Sequence, residues 1–109
     1  MKTFIINRKK WGIGTLLDGI TGKMCCLGFC AKSYGIGESH LLTRGYPSDI
    51  EDVKQKRKLP KWLQSIGYDV NELVATNDHM NMLDEYREEL ISKIFKKHNI
   101  IVKFVGKRE

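Results

Sequence analysis

The run Leu83-Asp-Glu-Tyr86-Arg-Glu-Glu-Leu90-Ile-Ser-Lys-Ile94-Phe-Lys-Lys-His98-Asn-Ile100-Ile-Val-Lys-Phe-Val105 carries the strongest periodic signal in the chain. Leu83, Tyr86, Leu90, Ile91, Ile94 and Phe95 recur at helical spacing, while Glu85, Arg87, Glu88, Lys96 and Lys97 occupy other faces. Asn81 and Asp84 suit a helix start, and Lys96, Lys97 and His98 fall at the end, where the helix dipole favours cations. Ile100 to Val105 then reads as a strand. Upstream, Leu73-Val74-Ala75-Thr76 is a further strand candidate. Strand, amphipathic helix and strand within about thirty residues predict a βαβ unit, right-handed if its strands are parallel.

Working outward, Thr3-Phe4-Ile5-Ile6 is short, apolar and β-branched, and reads as a first strand. Residues 12–23, with Gly12, Gly14, Gly19 and Gly22, read as an extended loop. Met24 to Tyr34 is apolar on nearly every side until Lys32, the pattern of a buried central helix, closed by Gly35. A short helix is expected at Glu38–Arg44, ending at Gly45 with Pro47 beyond. Ser48 to Lys61 reads as a charged surface connection, after which Trp62 and Leu63 return the chain to the core. The expected fold is α+β (or α/β): a small mixed sheet of about three to four strands packed against the buried central helix and the long amphipathic C-terminal helix. It forms a single compact domain over residues 1–109.

The 109 residues are 41% hydrophobic, enough for one core without disulfide or metal staples. The three cysteines all fall within residues 25–30, so they form no disulfide framework, and neighbouring Cys25 and Cys26 are poorly placed to bridge each other. Met1 to Arg8 has no long apolar stretch, so no secretory signal is read there, and no run approaches a membrane span. These features place the chain in a reducing cytoplasm. The net charge of +6 favours an anionic partner. Residues 1–46 hold 7 Lys/Arg and 2 Asp/Glu, whereas residues 47–109 hold 12 and 11, so the excess lies in the first half.

Asn7-Arg8-x-x-Trp11-Gly12, the Gly-rich loop, and Met24-Cys25-Cys26-Leu27-Gly28-Phe29 are followed by Gly45-x-Pro47, Asn77-Asp78 and Arg87-Glu88. In these segments the chain resembles a set of small, mostly uncharacterised proteins of tailed bacteriophages and prophages. The similarity covers most of the chain, though the loop before Met24 is shorter here. It implies an accessory product, for host takeover or against host defence, acting in the cytoplasm of the bacterial host. It implies no reaction.

Asn7, Arg8, Lys9, Lys10 and Trp11 combine donors, positive charge and an aromatic plane, a set able to hold a phosphate through Arg8 and stack a base on Trp11. The alternative is an edge strand guarded by charge, with Trp11 anchoring the loop. Gly19-Ile20-Thr21-Gly22-Lys23 before a helix has the logic of a phosphate cradle. Met24 stands where a nucleotide-hydrolysing loop needs Ser or Thr, so that activity is not expected. Cys25 or Cys26 near a helix start, with His79 as base, is the arrangement a cysteine hydrolase would use; the competing reading is a thiol buried as a small hydrophobe. Cys26 and Cys30 share a helical face, but His40 and His79 are scattered, so no metal site is assigned and no cofactor is expected. Asn77-Asp78 reads as a turn, or as a polar contact at a strand end.

The leading expectation is a non-enzymatic binding protein for a signalling nucleotide or nucleic acid, using Asn7, Arg8, Lys9, Lys10, Trp11 and Lys23. So small a chain would form a concave site most readily as a homo-oligomer. The alternatives are a protein-interaction inhibitor of a host enzyme and the small cysteine hydrolase.

Overall fold

Phe4 and Ile6 are buried while Thr3, Ile5 and Asn7 face outward, the alternation of a strand covered on one side. They belong to β1 (Lys2–Asn7), which pairs in parallel with β2 (Ile100–Val105), Phe4 lying opposite Val102 and Asn7 opposite Val105. The computed structural model describes residues 1–107, and among them these two strands make up the whole sheet. Single bridges also join Trp11 to Met24 and Leu17 to Leu42. The expected mixed sheet of three to four strands is therefore corrected to two parallel strands in an α+β globule. Its helices are α1 (Cys26–Ser33), α2 (Val53–Lys56), α3 (Tyr68–Asn77) and α4 (Asp84–Lys96). The last two positions of the expected 1–109 domain lie outside the described residues.

The missing strand is Leu73–Thr76, which lies within α3. Val70, Leu73 and Asn77, spaced three and four apart, are buried together against the core. Three apolar residues followed by a threonine fit a strand or a buried helix equally, and here the packing of the flanking residues decides. The expected βαβ unit becomes two helices and a strand. The partner of β2 comes from the opposite end of the chain.

The central helix forms as expected, with Cys26, Leu27, Cys30 and Ala31 buried and Gly35 closing it at φ +89°. Gly28 is required by close approach: a Cβ there would fall 1.9 Å from the carbonyl oxygen of buried Leu16. This contact lets the loop of residues 12–23 lie directly on α1. The helix expected at Glu38–Arg44 is a single tight turn, Glu38–His40, and the chain then bends through Thr43 at φ +62°. The stretch from Ser48 to Lys61 does more than cross the surface, since it contains α2 and buries Ile50 and Leu59.

Phe95 of α4 sits at the core centre, fully buried, with the ring of Phe4 edge-on at 5.1 Å and that of Trp62 at 5.9 Å. Burial of one such side chain contributes about 1.5–3 kcal/mol. It fastens α4 to β1, so the N-terminal residues of α4 lie beside the turn that follows β1.

Candidate functional site

At the end of β1 the Asn7 side chain accepts the Lys9 backbone N–H at 3.0 Å and starts a single turn, Arg8–Lys10. The turn sends Arg8 toward α4. Its Nε and Nη2 donate to the two oxygens of Glu88 at 2.9 and 2.7 Å, and Nη1 donates to the Gly106 carbonyl at 2.7 Å. This two-pronged pair is largely withdrawn from water, the Glu88 side chain being 8% exposed, and it fixes the ends of both strands to α4.

Beside it lies a fully buried primary amide, Asn77, at the end of α3. Its Oδ1 accepts the Trp11 indole N–H at 2.7 Å and the Cys26 backbone N–H at 2.9 Å. Its Nδ2 donates to the Gly12 carbonyl at 3.0 Å and to Asp78 Oδ1 at 2.9 Å. Every lone pair and proton of the amide is thus used, and one side chain holds the Trp11 loop, the start of α1 and the end of α3. Arg87 completes the frame. Its Nε donates to the Thr76 carbonyl at 3.3 Å, Nη2 to the Asn77 carbonyl and Nη1 to Asp84 at 3.1 Å. The guanidinium also lies 4.4 Å from the centre of the Trp11 ring, a favourable cation–π contact.

Together these residues enclose a cleft of about 170 Å³. Arg8, Lys23, Arg87 and Lys107 supply four cations to its wall against the carboxylates of Asp84 and Glu88, and Trp11 forms part of the lining. The cations come from the turn after β1, the Gly-rich loop, α4 and the segment after β2.

Of the residues expected to bind ligand, the fold therefore brings Arg8, Trp11 and Lys23 together. Asn7 caps the turn, Lys9 is exposed outside the cleft, and Lys10 lines a separate depression with Asp18, Lys32 and Glu38. Trp11 has Arg87 over its ring and Phe104 tilted against it at 5.1 Å, so it frames the cleft more than it offers a stacking face. Arg87, Lys107, Asp84 and Glu88 were missed. Arg87 and Glu88 read as outer positions of an amphipathic helix, and only the tertiary position of the β1 turn makes them inward-facing.

The Gly-rich loop holds an anion of its own. Asp18 accepts the backbone N–H groups of Ile20 and Thr21 at 2.8 and 3.1 Å, and these bonds, Thr21 foremost, hold its carboxyl below the usual range. The amides that would face a phosphate are turned to this carboxylate. The start of α1 is likewise occupied, by Asn77.

Cys25, Cys26 and Cys30 are all buried. Burial pushes the Cys25 thiol up to about 11 and that of Cys30 up to about 12, and raises Cys26 well above its ordinary value. The nucleophilic thiolate is thus disfavoured at neutral pH. His79 is exposed on the turn after α3. Among the described residues no group of three or more His, Cys, Asp or Glu side chains is placed to hold a metal ion, and no helix is long and apolar enough to cross a membrane. Comparison with protein-family models, with curated proteins and with solved structures gave no match.

Proposed function

We propose that this chain is a phage accessory protein that acts by binding an anionic group in the cleft between the β1 turn and α4. The observation that carries the reading is the convergence of Arg8, Lys23, Arg87 and Lys107 on one small cavity, with two more cations than carboxylates in its wall. Arg8 and Arg87 are held in place by the frame, so they offer fixed positive charge without reorganisation. Lys23 and Lys107 are exposed and reach the ligand from the rim.

Size narrows the ligand. Whole small molecules occupy pockets of roughly 300–1,000 Å³, and this cleft, at about 170 Å³, suits one phosphate with the atoms next to it. The phosphate of a nucleotide or of a nucleic-acid backbone enters, and the remainder of the ligand lies across the rim at Ile13. The setting, the cytoplasm of a bacterial host, is supported by the phage resemblance of the Asn7–Gly12 and Met24–Phe29 segments. The test is titration with a nucleoside triphosphate and with a short oligonucleotide, followed by NMR chemical shifts of the Trp11 indole and the Arg8 and Arg87 side chains. Saturable shifts at these groups support the proposal, and their absence with both probes overturns it.

A further inference from the structure

The wall of the anion cleft is graded in depth. The side chains of Arg8, Arg87 and Glu88 are 19%, 12% and 8% exposed and form its floor, whereas Lys23, Lys107 and Asp84 stand exposed at the rim. Each arginine is paired with a carboxylate, Arg8 with Glu88 at 2.7 Å and Arg87 with Asp84 at 3.1 Å, and within each pair the charges cancel. The excess of two positive charges therefore rests on Lys23 and Lys107. The arginines supply direction. Among the described residues, Arg8 spends three of its five N–H groups on Glu88 and Gly106, and Arg87 spends three on Thr76, Asn77 and Asp84. Two on each guanidinium are left for an acceptor.

Phosphate groups differ in charge and in shape. A terminal phosphate carries about −1.5 to −2 at neutral pH and ends in three acceptor oxygens. An internal phosphodiester carries a single negative charge and continues as a chain on both sides. The two uncompensated lysines match the terminal group. A floor set below the rim admits a group that enters end on, and a cavity of about 170 Å³ has no room for chain on both sides of it. A continuous strand would also carry its neighbouring phosphates past Asp84 and Glu85, exposed carboxylates in the first turn of α4 that repel them. Ile13, the exposed apolar residue of the lining, offers a resting surface for one substituent. Building on the anion-binding reading above, we propose that the cleft selects the terminal phosphate of a nucleotide, free or at the 5′ end of a nucleic-acid strand, and rejects the internal phosphodiester.

The test is isothermal titration of the full chain with two matched pairs of probes. One pair is a nucleoside 5′-monophosphate and its methyl ester; the other is a short single-stranded oligonucleotide with a 5′-phosphate and the same strand with a 5′-hydroxyl. The phosphate-ended member is expected to bind at least about tenfold more tightly than its counterpart, with the preference reduced in Lys23→Ala/Lys107→Ala. Binding of the monophosphate assigns a free nucleotide as a sufficient ligand, and binding of the phosphorylated strand alone assigns the strand end; either supports the proposal. A methyl ester or a 5′-hydroxyl strand that binds as tightly as its phosphate-ended counterpart overturns the selectivity. The anion cleft itself then still stands if the NMR shifts of Arg8 and Arg87 saturate. No binding of any probe overturns both readings. A preference undiminished in the double variant locates the phosphate elsewhere and overturns the proposal as well.

Discussion

The amide oxygen of Asn77 lies 2.9 Å from the backbone nitrogen of Cys26, so the last turn of α3 caps the first turn of α1. The same oxygen receives the Trp11 indole N–H, which places the cleft wall and the core under one side chain. Asn77→Asp keeps an acceptor but loses both donated bonds and adds a charge beside Asp78. Each buried polar group left unsatisfied costs about 1–3 kcal/mol, so Asn77→Asp is expected to lower stability by about 3 kcal/mol or more. Urea denaturation measures this, and a loss below about 1 kcal/mol would contradict a fully used amide.

Arg8→Lys tests the second tie of the frame. Lysine keeps the charge but cannot reproduce the two parallel bonds to Glu88 together with the bond to Gly106. Stability is expected to fall by about 2 kcal/mol. Lys9→Ala, at an exposed residue of the same turn, is expected to change it by less than about 0.5 kcal/mol. Equal effects of the two substitutions would show that the frame does not depend on Arg8.

Gly28→Ala adds a single methyl group that would meet the Leu16 carbonyl oxygen at 1.9 Å, and this contact cannot be relieved without moving α1 off the loop. A loss of about 3 kcal/mol or failure to fold is expected. Gly67→Ala, where an added Cβ meets nothing within 4 Å, is the control. Its thermal midpoint is expected to stay within a few degrees of the wild type.

The buried thiols make stability depend on alkaline pH. Burial raises their folded pKa above that of the unfolded chain, so their contribution is complete below pH of about 8 and is lost as pH rises through the thiol range toward the folded values. Denaturation midpoints should therefore fall between about pH 9 and pH 11, and Cys30→Ala should flatten the slope. At neutral pH iodoacetamide should leave all three thiols unmodified until denaturant is added. Rapid labelling of Cys25 in the native protein would revive the nucleophile reading.

Much of the fold could be read from residue patterns. β1, α1, α4 and β2 each carry a period or a cap that local sequence supplies, such as the six apolar positions from Leu83 to Phe95. Leu73–Thr76 reads as a strand because so short a run of three apolar residues and a threonine fits either period, and the deciding residues, Val70 and Asn77, lie outside that window. For the same reason the sheet partner was missed: parallel pairing of Lys2 with Ile100 leaves no local trace. In the candidate site, the first-half basic residues pointed to Arg8 and Lys23. Arg87, Lys107 and the buried role of Asn77 arise only once distant segments meet.

The most direct test of the anion cleft is the affinity of a nucleoside triphosphate, by isothermal titration, for the wild type and for Lys23→Ala/Lys107→Ala. Both lysines line the cleft from exposed positions, so the variant should keep its fold. The account predicts saturable wild-type binding that weakens as salt is raised, and at least about a tenfold loss of affinity in the variant. Binding of equal strength in the two proteins, or none to the wild type, would contradict it.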